Sequence, residues 1–123
     1  MDITIKNEGR SPEISQDLKD IEKWLAADLG REITEHKVPS VKGEKDGFLL
    51  TGLAVVGAAL SAINTTINVL NYWAAKHKQD KSVLLIKSDG NVLLGKLSDT
   101  EISSLSTELV ANDSIEVVVS KLP

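Results

Sequence analysis

The order of hydrophobic patterns along the chain predicts an α+β domain: a ferredoxin-like βαββαβ antiparallel sheet with an additional long uncharged helix before the second strand. Three observations point to it. Asp2 to Lys6 alternates polar and apolar residues, two β-type runs flank an Asp-Gly pair at Asp89 and Gly90, and two segments combine a helix-start signal with an apolar stripe at helical spacing.

In the first element Ile3 and Ile5 point one way and Asp2, Thr4 and Lys6 the other, as in a strand with one buried face. Asn7 to Ser11 reads as a turn. Ser11 then supplies an N-cap, and Pro12 has its φ preset for the first helical position. The helix that follows has Ile14, Leu18, Ile21, Leu25 and Leu29 as its inner stripe, with Gln16, Asp17, Lys19, Asp20, Glu22 and Lys23 toward solvent and Gly30 as terminator. From about 31 to 47 the chain is polar, mixed in charge and punctuated by Pro39, Gly43 and Gly47. It is expected to be a mobile loop.

From Phe48 to Ala75 there is no charged side chain. The run reads as one helix from about Leu50 to Lys78, its C-terminal end marked by Lys76, His77, Lys78 and Lys81, where a helix dipole favours positive charge. Leu49, Leu53, Val56, Leu60, Ile63, Ile67, Leu70 and Ala74 recur alternately four and three residues apart, which is a heptad seam. Beside it runs a small, polar stripe of Gly57, Ser61, Asn64, Asn68 and Asn71, flanked by Ala54, Ala58 and Ala62, over which another backbone could approach closely. Such a helix spans about 40 Å, more than a small sheet covers. Its surroundings are open to three readings: the domain's own sheet, another polypeptide, or lipid. Asn64, Asn68 and Asn71 argue against lipid, where an amide without a partner is costly. The residues expected at an association interface are Leu53, Val56, Gly57, Leu60, Ile63, Asn64, Ile67 and Trp73.

Ser82 to Lys87 and Val92 to Lys96 are the two arms of a hairpin, with a type I′ turn expected because Asp-Gly tolerates positive φ. Ser98 and Glu101 have capping-box spacing ahead of Ile102, Leu105 and Leu109 on a helix ending near Asn112. Ile115 to Val119 is a β-branched last strand. At 123 residues the whole is a single domain, 1–123.

Composition narrows the function. Eighteen acidic against 14 basic residues, a net charge of -4, remove the footprint of a general nucleic-acid binder. The absence of cysteine removes disulfides, thiol nucleophiles and sulfur ligands and fits a reducing compartment, so a cytoplasmic location is expected. The first thirty residues are dense in charge, and no cleavable targeting segment is expected. His36 and His77 have no metal-ligand spacing, and no metal or cofactor is expected. Gly43, Gly47, Gly52 and Gly57 match no phosphate-binding loop, no serine sits in Gly-x-Ser-x-Gly, and the carboxylates Asp17, Asp20, Glu22, Glu44 and Asp46 read as solvated charge. No catalytic residue is therefore expected. Trp24 and Trp73 are equally suited to anchoring an interface and to capping the core.

The Trp24-Leu25 pair in the first helix, the Pro39, Gly43 and Gly47 loop, the small-residue hydrophobic helix with Trp73 near its end, and the strand-Asp-Gly-strand hairpin together resemble the effector-associated constant component family of bacterial conflict systems. That resemblance implies a small non-catalytic companion, encoded with variable effectors and acting in assembly or signalling, and it implies no catalytic residues. The expected function is a non-enzymatic association module, a homo-oligomer joined through the 50–75 helix, with an effector protein as a further partner. The alternative is membrane association through the same helix.

Overall fold

The computed structural model describes residues 1–30, 33–39 and 48–122, with Phe48 described for its backbone only. The strands are β1 (Asp2–Asn7), β2 (Thr34–Pro39), β3 (Phe48–Val55), β4 (Lys81–Lys87), β5 (Gly90–Leu93) and β6 (Ser114–Lys121); the helices are α1 (Pro12–Leu29), α2 (Leu60–Lys76) and α3 (Asp99–Leu109). A single 3-10 turn, Glu8–Arg10, precedes α1. The class is α+β, as expected, but the sheet is not the expected one. It has six strands in the order β2-β3-β1-β6-β4-β5, and it is mixed, because β1 runs parallel to β6 and every other pair is antiparallel. A four-stranded antiparallel βαββαβ sheet therefore does not describe this molecule.

The period-2 alternation sets one face of the sheet. Ile3 and Ile5 of β1 lie across from Val55 and Leu53 of β3 and from Ile115 and Val117 of β6, while Val117 and Val119 lie across from Leu85 and Val83 of β4. All of these are buried, and the three helices lie over them. The layout is two layers, with α2 packed between α1 on one side and α3 on the other. Thr4, Lys6, Ala54, Glu116, Val118 and Ile86 alternate onto the opposite face.

Local signals act as read. Ser11 Oγ accepts the Ile14 amide at 3.3 Å, and Gly30, at φ 65, donates its N–H to the Ala26 carbonyl at 2.8 Å, closing α1 at both ends. Ile14, Leu18, Ile21 and Leu25 are fully buried. The capping box on α3 is complete: Ser98 N–H donates to Glu101 Oε1 at 3.1 Å and Glu101 N–H to Ser98 Oγ at 3.2 Å. The hairpin forms with a shifted turn. Lys87 pairs with Gly90, so the central residues are Ser88 and Asp89, both at negative φ, and the glycine at φ 145 absorbs the left-handed demand just after them. The turn is thus not type I′.

The single helix from 50 to 78 does not exist. Phe48–Val55 is a strand held between β1 and β2, the chain turns at Val56–Ala59, and the helix begins only at Leu60. Leu49, Leu53 and Val56 fit a heptad by spacing, but a short apolar run fits a fully buried strand equally well. Here Gly47 and Gly57 bracket it, and Val55 and Val56 are β-branched. Gly57 makes the corner at φ 68, its N–H donating to Asp2 Oδ1 at 3.0 Å, and the next amide, Ala58, donates to the Met1 carbonyl at 2.7 Å. Those two bonds tie the break to the start of β1. The expected loop at 31–47 is also in part a strand, β2, bulged between His36 and Lys37; Gly43 and Gly47, with Glu44 and Asp46, lie outside the described residues.

Two of the asparagines of α2, Asn64 and Asn71, are cross-ties. Asn71 Oδ1 accepts the amides of Gly95 at 2.6 Å and Leu97 at 3.2 Å, while its Nδ2 donates to the Leu97 carbonyl at 3.1 Å, fixing the β5–α3 connection onto the helix. Asn64 Nδ2 lies 3.4 Å from Ser106 Oγ on α3. Among the described residues no helix is long and apolar enough to cross a membrane. Replacing Asn71 by Leu leaves two loop amides without their acceptor and is expected to cost about 2 kcal/mol. Asn68→Ala, at an exposed position with only local bonds, should stay within about 0.5 kcal/mol of wild type. Chemical denaturation compares the two, and an unchanged midpoint for Asn71→Leu would refute the cross-tie.

Candidate functional site

Because α2 is enclosed on three sides, Ile63, Thr66, Ile67, Val69, Leu70, Trp73 and Ala74 are buried and a single strip faces water. Along that strip lie Leu60, Ser61, Asn68, Tyr72 and Ala75, with Asn64 and Thr65 half-buried at its margin, and none carries charge until Lys76 closes the helix. A solvent-facing helix strip normally does. Its ends are apolar: Leu60 is 45% exposed beside Val56 at 53%, and Tyr72 is 59% exposed. At the Tyr72 end α1 contributes Trp24, whose ring centroid is 5.8 Å from that of Tyr72 at an angle of 45°. The Lys76 ammonium lies 5.4 Å from each ring. Trp24, Ala27, Asp28, Asn68, Val69 and Tyr72 line a cleft of about 500 Å³ between the two helices.

The eight residues expected at an interface separate into two groups. Leu53, Ile63, Ile67 and Trp73 are core, none more than 1% exposed. Asn64 is half-buried against Ser106, whereas Val56, Gly57 and Leu60 are exposed at the β3–α2 corner. Trp73 thus resolves as a core residue, its ring 4.4 Å from that of His77 at a tilt of 30°, while the half-buried Trp24 reaches the surface. Sequence reasoning missed Tyr72 and Lys76. Their signal was the Asn68, Tyr72, Lys76 spacing of four, which places them on one face.

One carboxylate read as solvated, Asp17, is not. Asp17 packs inward near Lys81, whose side chain is only 6% exposed; Lys81 Nζ lies 3.0 Å from Glu13 Oε1 and 3.4 Å from Asp17 Oδ2, and Lys121 holds the other Glu13 oxygen at 2.8 Å. Hydrogen bonds from Lys121 and Lys81 hold the Glu13 carboxyl down to about 2. Burial pushes the Asp17 carboxyl up, against the pull of Lys81, and its Oδ2 has no hydrogen bond. For Lys81, burial works against the charge, but Glu13 and Asp17 outweigh it and its pKa ends above the ordinary value. The cluster is an ionic tie between α1 and β4. His36 and His77 lie on different elements, and among the described residues no three metal-ligating side chains group together.

Glu22 on α1 and Glu35 on β2 act on each other's titration. Burial and the hydrogen bond and charge of Glu35 push Glu22 up to about 7, while Lys37, 3.1 Å from Glu35, holds Glu35 ionised and low. Folding thus favours protonated Glu22. Its contribution to stability is fully present below the ordinary value of 4.5 and is lost as pH rises from there through about 7. Discounted for solvent screening at a partly exposed site, the loss is about 1 kcal/mol. Glu22→Gln keeps a donor toward Glu35 and should flatten this slope, so that denaturation at pH 5 and pH 8 gives nearly equal midpoints where wild type differs. An identical slope in the variant would disprove the pairing. No family model, curated protein or solved structure matches the chain.

Proposed function

We propose that this chain is a non-catalytic association module that self-associates through the outer strip of α2, the partner surface centring on Leu60, Asn64, Asn68 and Tyr72 and extending to Val56 and Gly57. The observation that carries the reading is the absence of charge from Leu60 to Ala75 along an exposed helix strip that presents, with the adjoining corner, three exposed apolar side chains. Interface cores are depleted in charge and enriched in aromatic residues, and tyrosine contributes area at little entropic cost. The resemblance to the effector-associated constant component family supports the same role, with an effector protein as the further partner and assembly as the task. The cysteine-free composition fits a cytoplasmic setting.

Light scattering across a concentration series is the test. Wild type should rise from the 13.3 kDa monomer toward at least twice that mass, and Leu60→Asp, at an exposed site, should remain monomeric with an unchanged denaturation midpoint. A wild-type mass fixed at the monomer value up to about millimolar concentration overturns the proposal.

A further inference from the structure

The Trp24 and Tyr72 rings that line the cleft between α1 and α2 differ from the rest of the strip in already carrying a cation. Lys76 follows Tyr72 by one helical turn, and its ammonium reaches back over two aromatic faces at once, 5.4 Å from each centroid. Asp28 brings a carboxylate to the same cleft. Two tilted aromatic rings, a nearby anion and a cavity of about 500 Å³ match the chemistry of a guanidinium or alkylammonium group. A primary ammonium is the most strongly hydrated of these cations and gains least from a π face; a guanidinium is planar, weakly hydrated and stacks. Lys76 is exposed, so it can swing into water when displaced.

We propose that this cleft recognises an arginine side chain presented by a partner protein, the guanidinium stacking on Trp24 and Tyr72 and facing Asp28, with Lys76 as an intramolecular placeholder that it displaces. The proposal adds a ligand class to the association reading and does not need self-contact, since the cleft is complete within one chain.

The probe is N-acetylarginine amide, with the neutral isostere N-acetylcitrulline amide and sodium chloride as controls. The readout is the indole N–H signal of Trp24 by NMR in dilute protein whose mass is measured in the same sample. Trp73, buried, serves as the internal reference. The arginine probe should shift the Trp24 signal saturably with an affinity on the order of millimolar, and the citrulline probe should not. Asp28→Asn should weaken binding about threefold and Lys76→Gln tighten it about threefold, the scale of one exposed cation–π contact. Tyr72→Ala, at an exposed position, should abolish the shift without altering the fold. An equal response to both probes, no response to either, or weaker binding in Lys76→Gln overturns the proposal. Because binding and mass are read together, a monomer that binds the probe separates failure of self-association from failure of this site.

Discussion

A helix with a sheet beneath it and a helix on either side can carry charge only on the strip that faces water, and α2 occupies that position. Ile63, Ile67, Leu70 and Trp73 fill the space over the sheet, and Thr66, too small to reach solvent, turns its hydroxyl back to the Ala62 carbonyl at 2.7 Å. The lack of charge through this segment is therefore mostly a consequence of enclosure. The same enclosure explains Asn64 and Asn71. A buried or half-buried amide is retained where it satisfies backbone groups that would otherwise have no partner, and Asn71 does so for Gly95 and Leu97.

How much of this could be read from the chain depends on whether the determining interaction was local. The α1 stripe, its Ser11 and Gly30 caps, the Ser98–Glu101 box and the alternation of β1 are set within one or two turns of chain, and each is found where it was expected. The β3 run was misread because its fate is decided by pairing with strands outside the run, β1 near the start of the chain and β2. An apolar run of that length carries no period strong enough to choose. Gly52 marks the choice in retrospect, since a Cβ there would come within 3.1 Å of the Ile5 carbonyl across the strand pair. The inward Asp17 was equally illegible: nothing local in α1 announces that Lys81, far along the chain, folds down beside it.

Lys81 illustrates how the ends of the molecule are joined. It opens β4 at a register position opposite Lys121 near the end of β6, and both lysines converge on Glu13 in the first turn of α1. Two like charges facing each other across a strand pair are unfavourable unless a shared anion lies between them. Glu13 supplies that anion, and its strongly lowered pKa is the expected mark of it. Asp17, with one oxygen lacking a hydrogen bond, is the less favourable partner, and the longer 3.4 Å contact agrees with Lys81 directing its proton to Glu13.

Two surfaces remain uncovered among the described residues, the outer sheet face and the helix strip, and they differ in kind. The sheet face carries a Lys6–Glu116 ion pair at 2.9 Å together with Thr4 and His36, and its exposed apolar residues, Ile86 and Leu93, sit toward one edge. That mixture is ordinary for a solvated sheet, where scattered apolar side chains need no partner. The strip on α2 has no charge until Lys76, and that lysine is turned onto the aromatic rings of Trp24 and Tyr72. Enclosure explains the buried faces of α2 but not its outer one, because water would have accepted lysine or glutamate there at no cost to the core. The chemistry of that outer strip is what makes it the stronger candidate for contact.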